Sequence, residues 1–141
     1  VTVPPASYSA ISVKQPWAAL IVAGRKTVEI RRWATRVRGP VLIHAAKVDD
    51  DRPEAWQWVD SPAVADLCQM TGGLLGIANL RGCHIYRDQA GFDRDRPRHL
   101  NEPAWFTSPM YGFEFADARP IPFVPYKGQT LFFAVKGFAL S

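Results

Sequence analysis

The chain has 141 residues, 48% of them apolar and 21% charged, which suits one globular domain large enough to bury a core. No apolar run approaches the roughly 18–20 residues that cross a bilayer, no basic-then-apolar start resembles a signal peptide, and we expect no membrane partner. Two cysteines, Cys68 and Cys83, form neither a disulfide framework nor a metal-ligand spacing, so we expect a reducing, cytoplasmic setting and neither metal nor cofactor. The net charge of +4 is unevenly spread. Residues 25–47 hold seven Lys/Arg against Glu29 alone, and residues 49–66 hold six acids against Arg52 alone. Such asymmetry fits a polyanion-binding face, or equally a solvated strand and a solvated helix of opposite sign.

In chain order, residues 1–7 read as a flexible tail and 8–141 as the domain. "YSAISV" (8–13) is a first strand. Pro16 suits a first helical turn, Trp17, Leu20 and Ile21 recur at helical spacing, and Gly24 stops that helix. "KTVEIRRW" returns to strand period, with Val28 and Ile30 on one face and Thr27, Glu29 and Arg31 on the other. "VLIHAA" (41–46) reads as a buried strand. Asp49-Asp50-Asp51 before Pro53 reads as a helix N-terminus, with a break at Ser61-Pro62. "GLLGIANL" (73–80) is a strand that can run on to Tyr86. Residues 87–103 read as a long charged loop, and 111–118, 121–126 and 130–135 as three closing strands. The pattern predicts an α+β chain: a mixed, mainly antiparallel β-barrel with flanking helices. Val28, Ile30, Leu42, Ile77, Phe123 and Phe132 are expected in one core.

"SVKQPWAALIVAGRKTVEIRRW" followed by "RGPVLIHAAK" resembles the ASCH domain, whose signature is G-x-K-x-x-E-x-R. Gly24, Lys26, Glu29 and Arg31 fill all four positions. "YGFEFADARPIPFVPYKGQTLFF" resembles the closing strands of small bacterial and phage members, so the likeness spans about residues 8–138. The resemblance implies a PUA-like barrel with a cleft between barrel and helix, the signature at that cleft, and RNA or other nucleic acid, or a nucleotide, as ligand. Some small members resemble enzymes: amidohydrolases of N4-acylated cytidines, and one type with ribonuclease activity. In the amidohydrolase type the signature Lys is the base, a Thr at the position of Glu29 the nucleophile, and a later-strand Glu assists. Here Glu29 replaces that Thr, and Asn79 stands roughly where the later Glu falls. Both departures count against that activity.

The residues divide by chemistry. Lys26 acts as a base only if burial or neighbouring cations pull its pKa well below about 10.4; as a phosphate or carbonyl contact it needs no such tuning. Strict alternation sets Lys26 opposite Glu29 and Arg31, so convergence requires a bulge near Thr27 or a strand that begins after Lys26. Glu29 reads either as an ion-pair partner of Arg31, Arg38 or Lys26, or as an acceptor for a base's exocyclic amine or an activator of water. If the chain is an enzyme, Lys26 and Glu29 are the candidate catalytic pair of a metal-independent hydrolase. Arg31 and Arg38 are candidate phosphate forks, with Lys47 beside them. His44 reads as a strand histidine or a ligand contact. Trp17 reads as core or cleft wall, and Trp33, Trp105 and Tyr111 as stacking candidates.

Overall fold

The computed structural model describes residues 7–140; the first six residues of the expected tail lie outside it. Six strands form one sheet: β1 (Ser7–Val13), β2 (Val28–Arg31), β3 (Gly39–Ala45), β4 (Gly73–Tyr86), β5 (Met110–Pro125) and β6 (Phe132–Lys136), in the order β2-β5-β4-β3-β1-β6. Only β1 and β3 pair in parallel; every other neighbouring pair is antiparallel. Ser7, expected in the tail, is the first residue of β1, opposite Lys136.

β4 and β5 make a long hairpin whose register shifts at three places, and β3 and β4 shift at Ile43/His44. Each shift adds local twist, which curls the sheet into a half-barrel. The edge strands β2 and β6 are not hydrogen-bonded to each other, but Trp33, just past β2, packs edge-on against Phe132 of β6 with centroids 5.7 Å apart. Apolar contact closes what the ladder leaves open.

Alternation buries both faces of the central strands. Ile11, Val13, Val41, Ile43, Leu75, Ala78 and Leu80 face the main core, whereas Ala10, Leu42, Leu74 and Ile77 face a second one. The single core expected above is therefore divided. Leu42 and Ile77 lie in the second cluster, Phe123 and Phe132 pack on the main one, and Ile30 packs on a third with Tyr86, Phe92 and Met110.

Helix α1 (Trp17–Val22) is buried on every side, between the sheet and α2 (Pro62–Cys68). A short helix this apolar needs its ends satisfied from inside the core. Gln15, with no exposed surface, does so: its side-chain oxygen accepts from Ala19 N at 2.9 Å, and its amide donates to the carbonyls of Leu67 and Met70, each at 3.0 Å. One amide thereby caps the start of α1 and ties down the end of α2. Gly24 has φ +76, the left-handed turn that lets Arg25 N and Lys26 N both return to Leu20 O.

Two expected elements differ. Residues 87–103 are not a loop but carry α3 (Gln89–Arg94) and α4 (Arg96–His99), because Asp88 caps α3 through Gly91 N and Pro97 tolerates the first turn of α4. The strands expected at 111–118 and 121–126 are one strand, β5, in which Pro120 sits at a register shift opposite Gly76. Residues 53–58 form a 3-10 rather than an α-helix, and the break at Ser61-Pro62 stands, with Ser61 capping Val64 N.

Candidate functional site

The signature segment leaves α1 through the Gly24 turn and enters the sheet only at Val28, with Thr27 N donating to Arg98 O and Thr27 O accepting from Phe115 N. Lys26 therefore precedes the strand, and its side chain is free of strand alternation. No bulge is needed. Its ammonium lies 3.6 Å from Glu29 Oε1, donates to the His99 carbonyl at 2.5 Å, and stands 4.7 Å from the centre of the Trp17 ring. The Lys26 side chain is 0% exposed. Burial pulls its pKa down to about 8 and Arg31 adds to this, while Glu29 opposes it.

Glu29 and Arg31, two apart on β2, share a face. Arg31 donates from Nε and one terminal nitrogen to Glu29 Oε2 at 3.1 and 2.9 Å, and from that same nitrogen to the Ser12 carbonyl at 2.9 Å. One edge of its guanidinium is thus occupied within the protein, while its other terminal nitrogen has no hydrogen bond among the described residues.

Glu29 and Arg31 form part of the floor of a cavity of about 600 Å³, a size suited to a small ligand. Trp17 and Trp33 are its aromatic lining, and Ser12, Lys14, Asp50, Arg52, Asn101, Gln129 and Thr130 supply polar groups. Lys26 does not line it; it holds Glu29 from beneath. A general base must reach the proton it takes, and of the two signature residues Glu29 has that access.

Asp50 and Arg52 were not singled out as site residues. Asp50 is 6% exposed; its Oδ2 accepts from Trp17 Nε1 at 2.8 Å, and Arg52 grips it with Nε and a terminal nitrogen at 3.0 and 2.7 Å. Burial pushes this carboxyl up, but hydrogen bonds from Arg52 and Trp17 outweigh burial and hold it near 2. The acid read as a helix-start residue is instead the anchor that orients the cleft tryptophan. A buried Trp whose N–H needs an acceptor was the available signal.

Arg52 also covers Trp105, its guanidinium carbon 3.7 Å from the ring centre. Trp105 lines an adjoining cavity of about 430 Å³ with Arg32, Trp33 and Met110, with one face already taken by Arg52, whereas Trp33 lines both cavities. Tyr111 lies opposite Arg31 on β5, packed against the main core and outside the cavities. Arg38 is exposed, also outside them, and bonds its own backbone at Thr35 and Val37. His44 and Lys47 line a further cavity beside the first. Asn79 lies in the ladder between Pro40 and Ala116, away from the site.

His99, which supplies the carbonyl under Lys26, is buried and fixed in one tautomer. Its Nε2–H donates to Phe92 O at 2.7 Å, and its Nδ1 accepts from Asn101 N at 2.9 Å. Burial lowers its pKa to about 4, with Lys26 adding to the shift and the Phe92 carbonyl opposing it. Among the described residues no group of three His, Cys, Asp or Glu side chains could hold a metal ion, and no helix is long and apolar enough to cross a membrane.

Comparison with known proteins gives the family and agrees with the fold. The family model for the ASCH domain matches residues 11–129, and the chain belongs to that family, with its PUA-like fold. Among solved structures, the ASCH protein of Zymomonas mobilis superimposes with a TM-score of 0.66 at 17% identity, over 92% of this chain and 88% of that one. A tyrosine-to-phenylalanine variant of that protein gives 0.65 at 17%, over 92% and 91%, and a serine-to-alanine variant gives 0.62 at 17%, over 96% and 92%. No curated protein matches the chain.

Proposed function

We propose that this domain binds single-stranded RNA, taking one base into the cavity over Glu29. The observation that carries the reading is the combination of Trp17 and Trp33 with the Glu29 carboxylate, fixed by Arg31; Asp50, whose oxygens already accept from Arg52 and Trp17, orients the cleft tryptophan. Aromatic faces stack bases, and a fixed carboxylate accepts hydrogen bonds from exocyclic amines and ring N–H groups. Glu29 Oε2 is taken by Arg31, while Oε1 stands 3.6 Å from the Lys26 ammonium and is the oxygen left to accept from a ligand. Membership of a family generally proposed to bind RNA points the same way.

Hydrolysis has less support, because Lys26 is sealed under the floor and already committed to Glu29 and the His99 carbonyl. The test is titration of intrinsic tryptophan fluorescence with single-stranded and duplex RNA and with the four ribonucleosides. Quenching by single strands, weakened about tenfold or more by Trp33→Ala, is expected. Absence of both oligonucleotide and nucleoside binding at low salt would sink the proposal.

A further inference from the structure

Beside the Glu29 cavity lies a larger one, of about 940 Å³, and the two share Ser12, Gln129 and Thr130 as a common wall. Their chemistry differs. The first contains two carboxylates, each balanced by an arginine, and a single cation without an ion pair among the described residues, Lys14. The second is lined by Lys47 and Lys127, with hydroxyls from Thr71 and Thr130, and by no acidic residue at all. Both lysines are exposed, and neither makes an ion pair among the described residues. A concavity with two uncompensated ammonium groups and several neutral donors is matched to an anion rather than to a base.

The wall between the cavities is tightly held. His44 is 2% exposed, and its Nε2–H donates to the Tyr126 carbonyl at 2.7 Å. In the neutral ring its Nδ1 then accepts from the Ser12 hydroxyl at 3.0 Å. Gly128 lies directly on this pair: a Cβ there would stand 2.6 Å from His44 Cε1 and 3.1 Å from Ser12 Oγ. Only a glycine lets the segment pass so close, and that passage carries Lys127 to one cavity and Gln129 and Thr130 to both. His44 is thus a positioning residue for the wall.

We propose that the second cavity is a phosphate compartment, taking a phosphate attached to the nucleotide whose base occupies the first. The inference rests on the base-binding reading and narrows the ligand from nucleosides to phosphorylated nucleotides. The partition of charge carries it: carboxylates where a base is read, lysines without acids across the shared wall.

The test compares each ribonucleoside with its 5′- and 3′-monophosphates by calorimetry, on wild type and on a Lys47→Ala/Lys127→Ala double variant. Both lysines are exposed, so the variant keeps the fold. One monophosphate series is expected to bind about tenfold or more tighter than its nucleoside, with that increment lost in the double variant while nucleoside affinity is unchanged. Equal affinity of nucleoside and both monophosphates, or an increment that survives the double substitution, overturns the phosphate compartment and leaves the base site standing. If no nucleoside binds, pyrophosphate alone is titrated by backbone NMR. Shifts at Thr71, Lys127 and Gly128 that vanish in the double variant uphold the anion site without the base site, and their absence rejects it.

Discussion

The Lys26 ammonium stands 3.6 Å from Glu29 Oε1 with no exposed side-chain surface, while Oε2 of the same carboxylate takes both Arg31 contacts. One carboxylate thus balances two cations, one buried below it and one half-buried beside it. Truncating Lys26 to Ala leaves a void, a His99 carbonyl held by the Asn101 side-chain amide alone, and a Glu29 that has lost one of its two cations. Removing one partner of a buried pair costs about 3 kcal/mol or more. Lys26→Ala is expected to lower the urea-unfolding free energy by about that amount, and Lys26→Met, which keeps the volume, by less. An unchanged midpoint for Lys26→Ala would contradict the burial described above.

The same residue predicts an unusual alkaline trend. Folded Lys26 loses its proton near 8, against 10.5 for the unperturbed side chain. Between those values the unfolded chain binds more protons, so the stability owed to this residue rises with pH. Unfolding free energies of wild type and Lys26→Met, compared from pH 7.5 to 10, are expected to differ progressively in favour of wild type. A constant difference would show that the ammonium is not desolvated.

His99 predicts an acid trend. Its folded pKa of about 4 lies below the ordinary 6.5, so on acidification the unfolded chain takes up the proton first. Stability is expected to be complete above about pH 6.5 and to fall between there and pH 4. Asp50 extends the loss, since its carboxyl, normally near 3.8 and held near 2 here, contributes stability that disappears below pH 3.8. Melting curves of His99→Leu, less stable throughout but flatter between pH 4 and 6.5, test the assignment.

N4-acetylcytidine probes the hydrolase alternative. Glu29 stands where the resemblance puts the nucleophilic Thr of the amidohydrolase type, and Lys26, which stands where it puts the base, does not line the cavity. Release of acetate no faster than in a Glu29→Gln control is expected. Lys26→Ala is a poor control here, because it is expected to weaken the fold. Turnover clearly above the Gln variant would make Glu29 a nucleophile or base in its own right.

How far these features were legible in the sequence depended on whether they were set locally. Alternation and turn residues gave β1, β3, the span of β4 and the Gly24 stop, and with them the mixed sheet. The Lys26 parity conflict was also visible, and starting the strand at Val28 resolves it. Asp50 and Arg52 were not legible, because their partners Trp17 and Trp105 are 33 and 53 positions away, respectively, from the acid and the arginine (50 − 17 and 105 − 52). Local reading gave the acid a capping role instead. Helices α3 and α4 were missed because they carry few apolar residues and are held by polar links, such as Arg98 to Glu114 at 2.8 Å and Tyr86 to Asp95 at 2.6 Å. The run of cations at 25–47 was misleading as a simple patch. Arg25 pairs with Asp60, Arg31 with Glu29, Lys26 is buried, and Arg38 turns to its own backbone.

Salt dependence separates the remaining cations by role. Lys14, Arg32, Lys47 and Lys127 line the three neighbouring cavities and make no ion pair among the described residues. If three or four of them meet phosphates, log K for single-stranded RNA should fall with log [salt] at a slope of about −2 to −3, from roughly −0.7 per contact. Lys47→Ala is expected to flatten that slope by about 0.7 and to weaken all sequences alike. Arg38→Ala, outside the cavities, should leave both slope and affinity unchanged. Trp33→Ala should reduce affinity about tenfold at every salt concentration without altering the slope, since stacking releases few counterions. Fluorescence titrations at several salt concentrations distinguish the three variants. A slope that Arg38→Ala flattens as much as Lys47→Ala would place the bound strand over the segment 34–38 that leads into β3 instead of across the cavities.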